Sequence, residues 1–271
     1  MRLIFRLYHH LSILSIDIVA GSIISAMFFA KLFQVQIRPY GLIALGFTVW
    51  IIYTADHLRD AKRIKHAAST RRHRFHQQHF QFMSICLLIA ILINGVIIFF
   101  IRKQVFEFGI LLSGVVVVYL IVQQSLRFLK ELFIAALYTC GVLLLSITTT
   151  HVEITTIHYL IILQFGCMAW TNLVLFSWFD QVFDKHDKQN SFVTVLGSET
   201  TEYFLYVLFS FNVCISLVQY FLGGSLSPIV ILSLMNATLF LVFIFRRKLA
   251  RDDIYRLIGD AAFLIPLTSL P

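Results

Sequence analysis

Long apolar runs separated by short polar connectors fill the chain from residue 11 onward. Runs such as "GILLSGVVVVYLIV", residues 109–122, show no period-two alternation, which argues against barrel strands of about 10 residues. In lipid the backbone must bond within its own segment, so runs of this kind read as helices. A span needs about 20 residues, each rising about 1.5 Å through about 30 Å of hydrocarbon. Nine candidate spans follow, at 11–33, 39–56, 81–101, 105–124, 130–150, 157–178, 203–222, 226–245 and 255–270. The last is short and carries Asp260. Pro39 and Pro228 stand at helix starts, where a missing N–H is harmless. The expected architecture is all-α: a polytopic bundle of nine transmembrane helices forming one membrane-embedded domain over 1–271. It divides into two crude halves, 11–124 and 130–245, plus a ninth helix.

Composition agrees with that pattern. The chain is 59% hydrophobic and 13% charged, against about 45–50% and about 25% in soluble domains. A net charge of +8 would suit nucleic acid, but the basic residues lie in the connectors, as membrane orientation requires. No nucleic-acid partner is expected, nor an obligate protein partner; the surroundings are membrane lipids. The N-terminus and the 57–80, 125–130, 179–202 and 246–256 connectors share one side. Of the 22 Lys and Arg residues, only Lys31, Arg38, Arg102 and Lys103 fall on the other. The positive-inside rule makes the rich side cytoplasmic, in a multi-pass protein of the inner membrane. Residues 1–10, "MRLIFRLYHH", lack a small-residue cleavage site, so the first helix is expected to be retained. Cys86, Cys140, Cys167 and Cys214 lie inside apolar runs without metal-ligand spacing and read as buried free thiols.

The candidate chemistry begins at "VWIIYTADHLRDAKR", residues 49–63, where Asp56 and Asp60 follow an apolar run. Residues four apart stand on one helix face. A second pair, Asp180 and Asp184, ends the sixth span in "FSWFDQVFDKHDKQNSF", with Asp187 soon after. Both pairs fall on the cytoplasmic side after equivalent spans. Clustered carboxylates near low dielectric raise one another's pKa unless a cation compensates. Mg²⁺ suits such a site, because it accepts a few carboxylates, retained waters and phosphate oxygens. A metal held this way can stabilise a diphosphate leaving group. No His or Cys is arranged with these acids to suggest zinc. Solvated helix ends are the plainer alternative for either pair alone.

Basic and polar neighbours extend the site. Arg59, Arg63, Lys130 and Lys188 can neutralise phosphate oxygens, or serve as topology signals and headgroup contacts. Tyr53, one turn before Asp56, fits a phosphate-bonding or Asp-orienting role as well as an interfacial anchor. Asp17 and Asn172 interrupt helices, and buried polar groups usually face the bundle interior. Asp17 suits an ion pair, an acceptor contact or structural bonding, and Asn172 a cavity position two turns deeper than Asp180. Asn212 and Asn236 read as interhelical hydrogen bonders. His57 and His186 read as helix-surface residues, and "RRHRFHQQH" (71–79) as a headgroup contact or a phosphate-facing cap. The 27 Phe residues can line lipid, core or a cavity for a long apolar chain.

These segments resemble the UbiA superfamily of membrane prenyltransferases over nearly the whole chain. That family shows N-D-x-x-D-x-x-x-D after the second span and D-x-x-x-D after the sixth. Here "IYTADHLRD" matches at Asp56 and Asp60, with Ile52 and Tyr53 in place of the leading Asn and Asp. "DQVFD" matches at Asp180 and Asp184, while Lys188 stands where a third aspartate often falls. The family's Arg-Pro-rich stretch is replaced by "RRHRF". The resemblance implies Mg²⁺-dependent transfer of an isoprenyl group from an isoprenyl diphosphate to a lipophilic, often aromatic, acceptor. It makes Asp56, Asp60, Asp180 and Asp184 the catalytic metal-diphosphate ligands, with Arg59 and Lys130 as diphosphate-binding bases. The alternative function is a non-catalytic transporter or lipid-binding membrane module. Paired acids at one interface, away from the midplane sites of inverted-repeat transporters, favour the enzyme.

Overall fold

The computed structural model describes residues 2–250 and 253–270; positions 251 and 252 of the 246–256 connector lie outside them. All regular structure among the described residues is helical. The order is α1 (Arg2–Ile13), α2 (Ile16–Leu32), α3 (Pro39–Arg63), α4 (Arg71–Gln78), α5 (Phe80–Ile97), α6 (Lys103–Val122) and α7 (Lys130–Ile147). There follow α8 (Thr156–His186), α9 (Phe192–Leu196), α10 (Ser198–Phe221), α11 (Leu226–Ile244), α12 (Arg246–Leu249) and α13 (Ile254–Ala261). A 3₁₀ segment, Ala262–Ser269, closes the described chain.

Seven of these helices, α3, α5, α6, α7, α8, α10 and α11, are long and apolar enough to cross a membrane. They correspond to the second through eighth expected spans. The first expected span differs, because Ser15 takes a left-handed conformation (φ 58°) and breaks it into α1 and the 17-residue α2. The ninth differs as well. It is an eight-residue α-helix running into a 3₁₀ segment that contains Pro266. Because a 3₁₀ helix rises about 2.0 Å per residue, 254–269 still reaches about 28 Å, close to the hydrocarbon thickness.

Helix length sets the depth of the acidic pairs. Pro39 opens α3 at its first turn, and the helix runs 25 residues, about 37 Å. A Thr155–His158 capping box opens α8, whose 31 residues extend about 46 Å. Both outrun about 30 Å of hydrocarbon. Their last turns therefore continue as helix where connectors were expected from 57 and from 179. Asp56 and Asp60 stay on one helix face, as do Asp180 and Asp184. The 57–80 connector also contains α4, capped by the Thr70 hydroxyl on the His73 amide at 3.4 Å. α9 lies in the 179–202 connector.

α8 packs against α7 and α10, while α2 packs against α3, α7 and the 3₁₀ segment. Phe29, Phe33, Phe165, Met168 and Leu232 fill one core cluster, and Leu175, Leu205, Leu239 and Phe243 another. α5 and α6 turn most of their side chains outward; only Met83 and Ala90 of α5 are buried. Outward Phe82, Leu88, Leu111 and Ile121 suit contact with lipid tails. Some interior polar groups bond across helices: Gln164 donates to the Asn212 carbonyl (3.0 Å) and the Ser216 hydroxyl (2.7 Å). Asn236 donates across helices to the Phe209 carbonyl at 3.3 Å, as expected. The Asn212 side chain instead donates to Leu208 of its own helix. The four cysteines are free, but only Cys167 is buried; Cys140 and Cys214 are exposed on outward faces.

Candidate active site

One cavity of about 1220 Å³, counting its open mouth, is lined by residues of α2, α3, α4, α7, α8, α13 and the 3₁₀ segment. Asp56 and Asp60 enter it from the C-terminal end of α3, and Asp180 and Asp184 from that of α8. Lys130 and Glu131 come from the first turn of α7, and Arg72 and His73 from α4. Deeper, Ile134, Tyr138, Leu173, Phe176 and Phe263 give an apolar, largely aromatic wall. The cavity is thus polar at the helix ends and apolar toward the bundle.

The carboxylates do not stand alone. Gln123 Nε2 donates to Asp56 Oδ1 at 2.8 Å. Asp60 Oδ2 lies 3.9 Å from His73 Nε2. Asp180 receives the Tyr255 hydroxyl on one oxygen and the Arg256 guanidinium on the other. Arg256 also lies over the Phe176 ring, 5.1 Å from its centroid, and Tyr255 stacks on Phe179 at 4.1 Å. Glu131 Oε1 accepts from the Phe192 amide at the start of α9 (2.8 Å), while its Oε2 is buried without a hydrogen-bond partner. Asn172 donates to Asp260 Oδ1 at 3.3 Å, and Asp260 Oδ2 is likewise unpartnered.

Of the residues singled out in the sequence, Asp56, Asp60, Asp180, Asp184, Tyr53, Lys130 and Asn172 all line this cavity. Four do not. The Arg59 guanidinium donates to the Leu120 carbonyl on α6. Arg63 and Lys188 are exposed outside the lining. Asp17 is buried beside it, with Oδ1 accepting from the Ile18 amide at 2.9 Å. His57 is buried rather than on a helix surface, its ring 5.7 Å from that of His73 and 5.1 Å from that of His76. Part of the 71–79 run faces the cavity. Arg72 is steered there by donating to the Ser12 carbonyl at 2.9 Å.

Glu131, Tyr255, Arg256 and Asp260 join the site without having been singled out for it, while Arg72 and His73 come from the run read as a headgroup contact or a phosphate-facing cap. Glu131 had a visible signal, a carboxylate opening an apolar run, as Asp17 is within one. Arg256 had none, because it sits in a basic connector like any topology signal. Burial pushes the His73 pKa down to about 4, helped by the Arg256 and Arg72 cations, so this ring is neutral at pH 7.

The lining suits a hard cation. Six carboxylates face three permanent cations, Arg72, Lys130 and Arg256. The unpartnered oxygens of Glu131 and Asp260 are further acceptors. Among the described residues these acids do not close into a ready three-ligand cage. That arrangement leaves positions for water and phosphate oxygens, the usual environment of Mg²⁺.

No family model matches the sequence, and no curated protein matches it. The three-dimensional comparison is decisive. The UbiA homologue of Aeropyrum pernix K1 superposes with a TM-score of 0.70 at 12% identity, over 93% of this chain and 96% of its own. This chain has the UbiA fold. The UbiA homologue of Archaeoglobus fulgidus, solved with DMAPP and Mg²⁺, gives 0.65 at 14% identity over 96% and 99%. A digeranylgeranylglyceryl phosphate synthase gives 0.56 at 15% over 98% and 99%. The shared fold extends over nearly the whole chain in each case.

Proposed function

We propose that this chain is a Mg²⁺-dependent prenyltransferase, moving an isoprenyl group from its diphosphate to an aromatic or otherwise lipophilic acceptor within the membrane. The carrying observation is the single cavity in which both acidic pairs and three cations meet an apolar aromatic wall. The fold shared with a homologue solved with DMAPP and Mg²⁺ supports it. In this reading α2 and 254–269 also cross the bilayer, making nine crossings with the N-terminus cytoplasmic.

Asp56, Asp60 and Asp184 would hold Mg²⁺ and the diphosphate, and Lys130 and Arg72 would neutralise phosphate charge. Asp180 holds Arg256 at the same end through a charge-assisted pair. When bound, Mg²⁺ supplies Lewis-acid polarisation of the leaving diphosphate. The prenyl chain lies along Tyr138, Phe176 and Phe263, whose ring faces stabilise positive charge developing on the allylic carbon. The C1–O bond breaks with its electron pair going to diphosphate. C1 then bonds to the acceptor nucleophile, which gives up a proton to solvent or to the departing diphosphate. Product formation from labelled isoprenyl diphosphates with a panel of lipophilic acceptors tests this directly.

A second reading, a lipid-diphosphate-binding module without transfer, is favoured by one observation. Both Asp180 oxygens are already engaged, leaving Asp184 as the one acid of that pair without Arg256. Binding of isoprenyl diphosphate with no diphosphate release, across the whole panel, would select it.

A further inference from the structure

Outside the cavity, the α3–α4 connector and the C-terminus of α8 bring three ligating atoms together. Asp187, the C-cap of α8, points its carboxylate inward, and that side chain is only 2% exposed. Its Oδ1 lies 3.1 Å from His66 Nε2, 3.1 Å from His186 Nδ1 and 2.7 Å from the Ser69 hydroxyl. The Ser69 hydroxyl is also 2.9 Å from His186 Nδ1, and the two imidazole rings meet edge to face at 4.8 Å. The Ser69 amide donates to Asp187 Oδ2 at 3.1 Å, which fixes the carboxylate's orientation. Three neighbours therefore crowd one carboxylate oxygen that has two lone pairs.

We propose that His66, His186 and Asp187 form a second metal site, selective for a zinc-type transition ion. The donor chemistry separates it from the carboxylate cavity, since two imidazoles and one carboxylate suit Zn²⁺ whereas Mg²⁺ takes oxygen. Zn–N bonds of about 2.0–2.1 Å in a tetrahedron put ligand atoms about 3.3 Å apart, so both His–Asp separations need to open by only a few tenths of an ångström. All three ligand atoms lie within 4.8 Å of one another, so the two imidazole nitrogens have the larger adjustment to make. Both imidazoles are substantially exposed, at 46% and 63%, so they can turn to close on an ion. Water takes the fourth position from the open side, and Ser69 acts as the outer partner that orients the Asp187 carboxylate. The ligands come from two segments 121 residues apart in sequence. An ion here would clip the connector leaving α3 to the end of α8, the two helices that carry the acidic pairs. The site is independent of the prenyltransferase reading.

The test uses the full-length, tag-free protein, stripped with chelator and titrated with Zn²⁺ in millimolar Mg²⁺. One zinc equivalent should bind, and it should raise the melting temperature. His66→Ala and His186→Ala should each weaken that binding by more than about tenfold and abolish the thermal shift. Asp56→Asn should leave both readouts unchanged, which separates this site from the cavity. Co²⁺ in place of Zn²⁺ should give the intense visible absorption of a four-coordinate N/O site in the parent and not in the two histidine variants. Since both histidines are exposed, the variants should keep the metal-free melting temperature of the parent. Failure of the parent to bind Zn²⁺, or zinc binding unchanged in both variants, would overturn the proposal.

Discussion

At the scale of single residues, the four motif aspartates share a cavity but not an environment. Asp56→Asn and Asp184→Asn remove an anionic ligand and should lower the rate of diphosphate release by about 10- to 100-fold or more. Their melting temperatures should stay near that of the parent. Asp180→Asn differs because it strands the Arg256 guanidinium, whose side chain is 24% exposed. It should cost stability at the low end of about 3–5 kcal/mol as well as activity. Calorimetry of the three variants in one detergent checks the contrast, and equal thermal losses would contradict it. His73 gives a pH prediction. Its pKa is near 6.5 in the unfolded chain and about 4 in the fold, so between those values the unfolded state binds more protons. Stability from this group is therefore complete above about pH 6.5 and declines as pH falls toward 4. The decline in the ligand-free protein should be shallower in His73→Gln. At this scale the aspartates were legible, since four-residue spacing needs no tertiary information. Arg256 was not, because only the fold carries it from a basic connector onto Asp180.

Among the elements, the weakest-looking one is the most closely fitted. α13 presses on α8 so tightly at Gly259 that an added Cβ would stand 2.6 Å from the Phe176 ring and 2.7 Å from Asn172 Oδ1. Gly259→Ala should therefore destabilise by about 1–3 kcal/mol through overpacking. It should also weaken isoprenyl diphosphate binding, because Phe176 and Asn172 both line the cavity. Thermal melts paired with ligand titration measure this, and a neutral variant would mean that the contact is looser than described. Helix existence was legible from the apolar runs, and seven long helices fall where they were expected. The ends were less so: α3 and α8 continue past the apolar boundary, turning Asp60 and Asp184 to the cavity while Arg63 and His186 stay exposed. Nothing in the local sequence marks Ser15 as a break. Eight residues of 3₁₀ helix at the end of the described chain likewise have no periodicity that a sequence displays.

For the whole molecule, the charge asymmetry of the connectors predicts that 64–70 and 188–191 face the same aqueous compartment. Single cysteines at the exposed positions Lys65 and Lys188, in a cysteine-free background, should be modified from the same side of sealed vesicles. Labelling from opposite sides would be incompatible with one shared cavity. The likeness of the two acidic helix ends suggested that sharing from sequence alone, and the UbiA fold now supplies the bundle that carries it. Which base faces which acid was not legible, because α4 and α13 reach the cavity only through long-range packing. The most direct measurement of the central claim is the affinity of the purified protein for an isoprenyl diphosphate, with and without Mg²⁺. It should be made on the parent, Asp56→Asn and Asp184→Asn. Binding should be tight only with Mg²⁺ and should weaken when either helix loses its acid. Equal affinity in excess chelator, or insensitivity to one of the two substitutions, would contradict a metal-diphosphate site built jointly by α3 and α8.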